Sequence, residues 1–328
     1  MQNSQNQESL VSICIPVYNA EKTIGKTIAS IVNQTYKNIE IIVVDNCSSD
    51  STVKIVQTFD DPRIRLILNE VHFPCAELNW NRCFQYVNGE FMAIFHADDI
   101  YLPDMILYQI ETFRSFPSVG GVFTQGNIIN ENDEIIGEFK LLPDIKGGEP
   151  YGYQKIFNSV LEYADFLPTP SAMLRSDLYF KLSPFIHDRF GSAPDLDMWL
   201  RAAKCAPIVI LDEKLMNYRV SKTQGTNILN RLRTHESDYF KVMDFHIAQN
   251  KDTAEISAKA INSYSLSRFG DQLICAHNSL YKRDWKEFQN QIKNIPWMKY
   301  VKILIQNPRQ IYAKFRLYSY FKIFKAYK

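Results

Sequence analysis

The 328-residue sequence predicts an α/β fold: a mixed, mostly parallel, Rossmann-like sheet flanked by helices, followed by a helical, basic C-terminal extension. Three observations carry this. Short, continuous apolar runs rich in β-branched residues recur at Val11 to Val17, Ile39 to Val44, Ile64 to Leu68 and Phe91 to Phe95, the pattern of strands buried on both faces. A helix-like stretch separates each run from the next, so right-handed crossovers join them and every carboxyl end points the same way. Each run also closes in a polar cluster: Pro16-Val17-Tyr18-Asn19, Asp45-Asn46, Asn69-Glu70 and His96-Ala97-Asp98-Asp99. Ligands of open α/β sheets bind outside those ends, so the clusters are expected to meet at one pocket.

The elements follow in order. After a Gln/Asn/Ser tail over residues 1–9, the first helix carries Ile24, Ile28, Ile31 and Val32 at helical spacing. Asp50 is the expected N-cap of a helix from Ser51 to Thr58, which Pro62 ends. Pro74 is placed to open a helix to Val87, closed by Asn88-Gly89, and Pro103 to open another reaching Phe116. Val122 to Ile136 reads as a hairpin around Asn130-Glu131-Asn132-Asp133, and Leu141 to Pro150 as a loop. From Ser171 the expected order is strand to Leu174, helix Asp177 to Leu182, irregular loop to Pro194, helix Asp195 to Lys204, then strands Ile208 to Leu211 and Leu215 to Arg219. Residues 228–328 read as mostly helical.

An apolar content of 46% supplies a normal core, and a net charge of +1 argues against a general nucleic-acid binder. The six cysteines show neither CxxC spacing nor a disulfide framework, which suits reduced thiols and a cytoplasmic protein. No secretory signal opens the sequence and no apolar run approaches the roughly 18 residues that span a bilayer. After Glu287 the charge is one-sided, with nine Lys or Arg and no acid. Residues 297–328 mix cations with aromatic rings, a composition suited to peripheral contact with an anionic membrane surface or to packing on the catalytic domain.

The segments Val11 to Asn19 and Ile41 to Asp50 and the Asp98-Asp99 pair, followed by Asp195-Leu-Asp-Met-Trp-Leu-Arg201, resemble glycosyltransferase family 2, inverting nucleotide-sugar enzymes of GT-A fold. Asn79-Trp80-Asn81-Arg82 and Gly89-Glu90-Phe91 fall between them in the family's order. The resemblance covers roughly residues 9 to 227. It implies a catalytic domain over 10–227, with a nucleotide-binding half at 10–118 and an acceptor-binding half at 119–227. It also implies transfer of one sugar from a nucleoside diphosphate, most simply UDP, to a hydroxyl of a glycan or lipid-linked saccharide in cell-surface polysaccharide assembly.

For particular residues the resemblance implies the following. Asp45 accepts a hydrogen bond from the base, which Pro16, Val17, Tyr18 and Asn19 wall. Asn69, Asn79, Arg82 and Ala97 stand near the nucleotide. Asp98 holds Mn2+ or Mg2+; Asp99 either joins it or caps the helix near Pro103. His96 occupies the first position of the family's Asp-x-Asp, as a substitute ligand, an outer neighbour of the metal or a sugar contact. Asp195 is the catalytic base that removes the acceptor proton. Ser221 stands where many members carry a metal-binding His, which implies either weaker metal binding or phosphates held instead by Arg219, Lys222 or a loop closing over the nucleotide. Asp197 and Arg201, spaced i, i+4, read as a structural pair. Two rival readings are a catalytically inactive nucleotide-sugar-binding protein of the same fold and a sugar-nucleotide pyrophosphorylase. The latter lacks a Gly-rich loop with a following Lys near the first strand.

Overall fold

A computed structural model describes residues 8–182, 184–221, 232–250 and 255–306. The chain divides into two compact units, Met1–Ile156 with Leu167–Gln224, and Phe157–Phe166 with Gly225–Lys328.

The first unit is built on one sheet. Strands β1 (Val11–Val17), β2 (Ile39–Asp45), β3 (Ile64–Leu68) and β4 (Phe91–Ile94) alternate with helices α1 (Ile24–Val32), α2 (Thr52–Val56) and α3 (Ala76–Cys83), as the apolar runs predicted. These four strands are parallel in the order β3-β2-β1-β4. The side chains of β1 and β2 are almost all buried on both faces, which is why they read as unbroken apolar runs rather than alternating ones.

Beyond β4 the sheet becomes mixed. A two-residue β5 (Ile100–Tyr101) and helix α4 (Met105–Ser115) lead into β6 (Gly121–Ile129), which turns back as β7 (Ile135–Glu138). Asn130 closes this hairpin by accepting from the Asn132 and Glu134 amides, and Asp133 takes a φ of 66°. After β8 (Pro150–Tyr151) and α5 (Tyr153–Tyr163), strand β9 (Met173–Arg175) inserts antiparallel between β4 and β6. Helices α6 (Ser176–Lys181), α7 (His187–Phe190) and α8 (Pro194–Cys205) then precede β10 (Ile208–Arg219), which runs parallel to β6. The two strands expected over 208–219 are one, with register shifts between Ile210 and Met216 that absorb the polar Asp212-Glu213-Lys214 insertion.

Two elements differ from expectation in kind. Helix α5 was not foreseen, although Ile156, Phe157, Val160 and Leu161 are fully buried at helical spacing. Its second half falls in the second unit, so residues 157–166 leave the expected 10–227 catalytic segment. Asn158 Nδ2 donates to the Glu255 carbonyl, Asn158 Oδ1 accepts from the Ser257 amide, and Tyr239 Oη donates to the Val160 carbonyl. The loop expected before Pro194 contains the short α7.

The second unit's described remainder is helical, with α9 (Asp238–Gln249), α10 (Ala258–Tyr281), α11 (Trp285–Asn294) and α12 (Trp297–Gln306). Ser257 and Asp284 cap α10 and α11 by accepting from Ala260 and Glu287 amides at 3.0 Å. Leu266, Ile295, Tyr300 and Ile303 form a small core against Phe269 and Ile292. Of the basic aromatic segment, then, Tyr300 and Ile303 pack inward; residues 307–328 lie outside the described residues, as do residues 1–7 of the tail and Lys222. Among the described residues no helix is long and apolar enough to cross a membrane.

Candidate active site

The carboxyl edge of the parallel strands gathers the polar clusters. Val17 and Asp45 are register partners at the ends of β1 and β2. The Phe95 amide bonds to the Cys14 carbonyl at 2.8 Å, which starts the His96–Asp99 turn on the other side of β1. With β1 between them, and neighbouring strands about 4.8 Å apart, Asp45 and the His96–Asp99 turn are separated by ~10 Å. That is the scale of a nucleoside diphosphate laid across the strand ends.

At the β2 end, Asp45 is 3% exposed. Its Oδ2 accepts from the Ser48 amide at 2.9 Å, while Oδ1 is enclosed without a hydrogen-bond partner. A buried carboxylate oxygen without a donor is costly, so this is a standing acceptor for an incoming N–H. Asn19, at φ 48°, accepts from the Ser49 amide through Oδ1 and donates its own amide to Ser48 Oγ, tying the two loops together. Asn tolerates that left-handed backbone better than most residues. The exposed Tyr18 ring lies 4.7 Å from the His72 ring, a pair of aromatic walls. Asn46, buried beneath, clamps the Phe73 backbone on both its N–H and C=O, and its own carbonyl lies 3.0 Å from His72 Nδ1. Pro16 is half-buried and Val17 buried, the latter accepting from the Asn46 amide.

At the β4 end, Thr27 Oγ1 bonds the carbonyls of Ala97 and Asp99 and fixes the turn. Asp99 is fully buried. Its Oδ1 accepts from the Arg219 amide at 2.8 Å, and its Oδ2 has no hydrogen bond. Helix α4 begins after Asp104, so Asp99 does not cap it. Burial and the neighbouring Asp98 push the Asp99 carboxyl well above the usual carboxylate range. Burial likewise holds the His96 imidazole below its ordinary value, against the pull of Asp98 and Asp195, so at neutral pH it offers a lone pair.

Ligand atoms of His96, Asp98 and Asp99 all lie within 4.8 Å of one another. Two of these groups, His96 Nε2 and Asp99 Oδ2, are enclosed and unpartnered. The set therefore fits a divalent cation, which would relieve the charge that burial disfavours.

Asp195 opens α8 directly after Pro194 at the first helical position. Its Oδ2 accepts from Thr169 Oγ1 at 2.8 Å, and Thr169 Oγ1 in turn accepts from the Trp199 indole at 3.1 Å. Burial raises the Asp195 carboxyl, opposed by Thr169, the Leu196 amide and His96. Trp80, half-buried, stacks on His96 with ring centroids 5.7 Å apart and meets Phe185 edge-on.

Several expected residues sit elsewhere. Arg219 is 4% exposed: its Nε donates to the Asp98 carbonyl, its Nη1 to the Asn130 carbonyl, and its Nη2 pairs with Asp133. With the guanidinium spent on protein, it braces the Asp98-Asp99 turn instead of meeting phosphates. Asn79 is buried, donating to the Val44 carbonyl and accepting from Asn69 Nδ2, so this pair joins α3 to the β2 and β3 ends rather than facing a ligand. Arg82 lies over the Tyr86 ring and bonds Gln85. Helix α3 runs back along the sheet, which carries its last turn toward the amino edge and away from the clusters. Asp197 is fully buried and pairs with Arg201 at 2.7 Å, the structural pair that the spacing indicated.

A mixed, mostly parallel sheet that gathers two polar clusters at its carboxyl edge defines the class, a protein of the GT-A fold. The family model described as Glycosyl transferase family 2 matches residues 12–179, and the chain belongs to that family, an enzyme of the glycosyltransferase class. The Escherichia coli protein named UDP-Glc:alpha-D-GlcNAc-diphosphoundecaprenol beta-1,3-glucosyltransferase WfgD is 38% identical over 130 residues, 40% of this chain and 50% of that protein. The match therefore spans about half the length of that relative. The crystal structure of S. aureus TarS 1-349 in complex with UDP-GlcNAc superposes with a TM-score of 0.54 at 14% identity, covering 92% of this chain and 91% of that one. The mannosyltransferase PcManGT from Pyrobaculum calidifontis, in complex with GDP-Man and Mn2+, has a TM-score of 0.54 at 14% identity, covering 94% and 85%. Both likenesses show the fold.

Proposed function

We propose that the protein is an inverting, metal-dependent glycosyltransferase that moves one sugar from a UDP-sugar to a hydroxyl of a lipid-linked saccharide. The observation that supports this reading is that buried Asp195, held by Thr169, and the imidazole of His96 in the aspartate turn feel each other's charge.

Asp45 Oδ1 accepts the N3–H of uracil, with Tyr18 and His72 against the ring and Asn19 fixing the loop below. Asp98 and His96, with Asp99 behind them, would hold Mn2+ or Mg2+. When bound, such a cation neutralises the charge that grows on the departing diphosphate. Asp195, in its unprotonated form, orients the acceptor hydroxyl and takes its proton. The acceptor oxygen forms its bond to the anomeric carbon on the face opposite the departing UDP, so configuration inverts. Lys222 is assigned to the phosphates, for which a lysine ammonium is a natural partner.

A UDP-linked donor and a lipid-linked acceptor are supported by the name of the E. coli relative. Work on such an acceptor would bring the protein to the cytoplasmic face of a membrane, with residues 297–328 as the contacting segment. Calorimetric titration with UDP, dTDP, GDP and CDP, with and without Mn2+, tests the reading. Metal-enhanced binding of UDP supports it; no nucleotide binding at any metal concentration overturns it.

A further inference from the structure

A second cluster of metal-ligating side chains lies outside the site described above. Cys75 is the N-cap of α3, Glu77 sits in its first turn, and His187 opens α7. Their Sγ, carboxylate oxygen and imidazole nitrogen all lie within 4.8 Å of one another, though His187 is more than a hundred residues from the other two.

The chemistry of the trio differs from that of the aspartate turn. A thiol, an imidazole and one carboxylate suit zinc-type cations, whereas Mg2+ and Mn2+ prefer oxygen. Glu77 is only 9% exposed, and a buried carboxylate requires a cation or well-aligned donors. His187 Nδ1 lies 3.2 Å from Glu77 Oε2, yet that nitrogen is enclosed and makes no hydrogen bond of acceptable alignment. The two atoms stand at the separation that two ligands of one cation would have. For tetrahedral Zn2+ with Zn–N and Zn–O of about 2.0 to 2.1 Å, the N to O separation is about 3.3 Å. His187 remains partly exposed, with 39% of its side chain open, which leaves a route for the ion and a fourth position for water.

We propose that Cys75, Glu77 and His187 form a zinc-type cation site that clasps the start of α3 to the segment leading into Asp195. On binding, the Cys75 S–H proton passes to solvent as the sulfur–metal bond forms. The site is separate from the aspartate turn and its existence does not depend on the donor or acceptor assignment.

The test is metal binding by the full chain after chelator treatment and gel filtration. Co2+ serves as the spectroscopic probe and Zn2+ as the competitor. Wild type and Asp98→Asn should both take up Co2+ with a thiolate charge-transfer band that Zn2+ abolishes. Cys75→Ser should lose the band, and Cys75→Ser and His187→Ala should each weaken zinc affinity by more than about tenfold, the lower end of what even an outer partner of a metal ligand is worth. Zn2+ should also protect Cys75 of the unmodified protein from alkylation, read by peptide mass spectrometry with exposed Cys205 as the internal control. This arm needs no variant and remains decisive if a substitution unfolds the chain. Absence of the thiolate band in wild type, or equal alkylation of Cys75 with and without zinc, overturns the proposal.

Discussion

Arg219 holds the Asp98-Asp99 turn by two separate bonds: its amide donates to Asp99 Oδ1 and its Nε to the Asp98 carbonyl, each at 2.8 Å. The same side chain reaches Asn130 and Asp133 in the β6–β7 hairpin. One cation thus joins the ends of β4, β6 and β10. Arg219→Met should lower stability by about 2–4 kcal/mol, because it strands the Asp98 and Asn130 carbonyls, while Asp133 keeps Lys26 as a partner. A urea melt gives the value, and Arg219→Lys should recover only part of it, lacking the fork. Metal-enhanced nucleotide binding should weaken in parallel with the melt; a stable Arg219→Met variant with normal metal response would separate the turn from the metal.

Asp195→Asn should reduce kcat by about 10²–10⁴-fold, the range supplied by a positioned base. Donor affinity should stay as in wild type, since Asp195 faces the acceptor side in this reading. Steady-state transfer rates and calorimetry on the same preparation check both halves. Normal transfer by the variant would remove Asp195 from the mechanism.

The pH profile follows from the raised Asp195 carboxyl. A base works unprotonated, so activity falls as pH drops through its pKa, and a raised pKa places that acid limb above the range of an ordinary Asp. Thr169 donates to the carboxylate and favours its charged form. Thr169→Val should therefore move the acid limb of kcat/KM to still higher pH. It should also cost about 1–3 kcal/mol of stability, through the Trp199 indole left without its acceptor. An acid limb unmoved in Thr169→Val would show that another group sets it.

Asp45→Ala should weaken UDP binding by about 1–2 kcal/mol, on the order of tenfold, through loss of the acceptor for the base N–H. Because the Ser48 amide loses its partner as well, a thermal melt should accompany the titration. Unchanged affinity for UDP would displace Asp45 from the base pocket.

The strands and their terminal clusters were legible because a strand buried on both faces writes itself as an apolar run, and a parallel sheet fixes which end is open. What the sequence did not carry was direction within helices. Asn79 and Arg82 are three positions apart, yet one is locked under β2 and the other lies on Tyr86 toward the far edge. Partners distant in sequence were equally silent. Thr169 reaches Asp195 across 26 positions, and Asn46 grips Phe73 across 27. Helix α5 was legible in principle, through the spacing of Ile156, Phe157, Val160 and Leu161.

Helix α3 is eight residues long, and two of its asparagines are bonded to different parts of the first unit. Asn79 grips Val44, the residue before Asp45, while Asn81 takes both the N–H and the C=O of Phe185 in the segment that leads to Asp195. The helix is thus a gauge bar between the end of β2 at Asp45 and the segment that leads to Asp195, the two sides assigned above to nucleotide and base. Its rise, about 1.5 Å per residue, sets the spacing between those two grips, so one residue inserted between Asn79 and Asn81 would turn the second grip by about 100° and uncouple the end of β2 from the segment before Asp195 without replacing any of the proposed site residues.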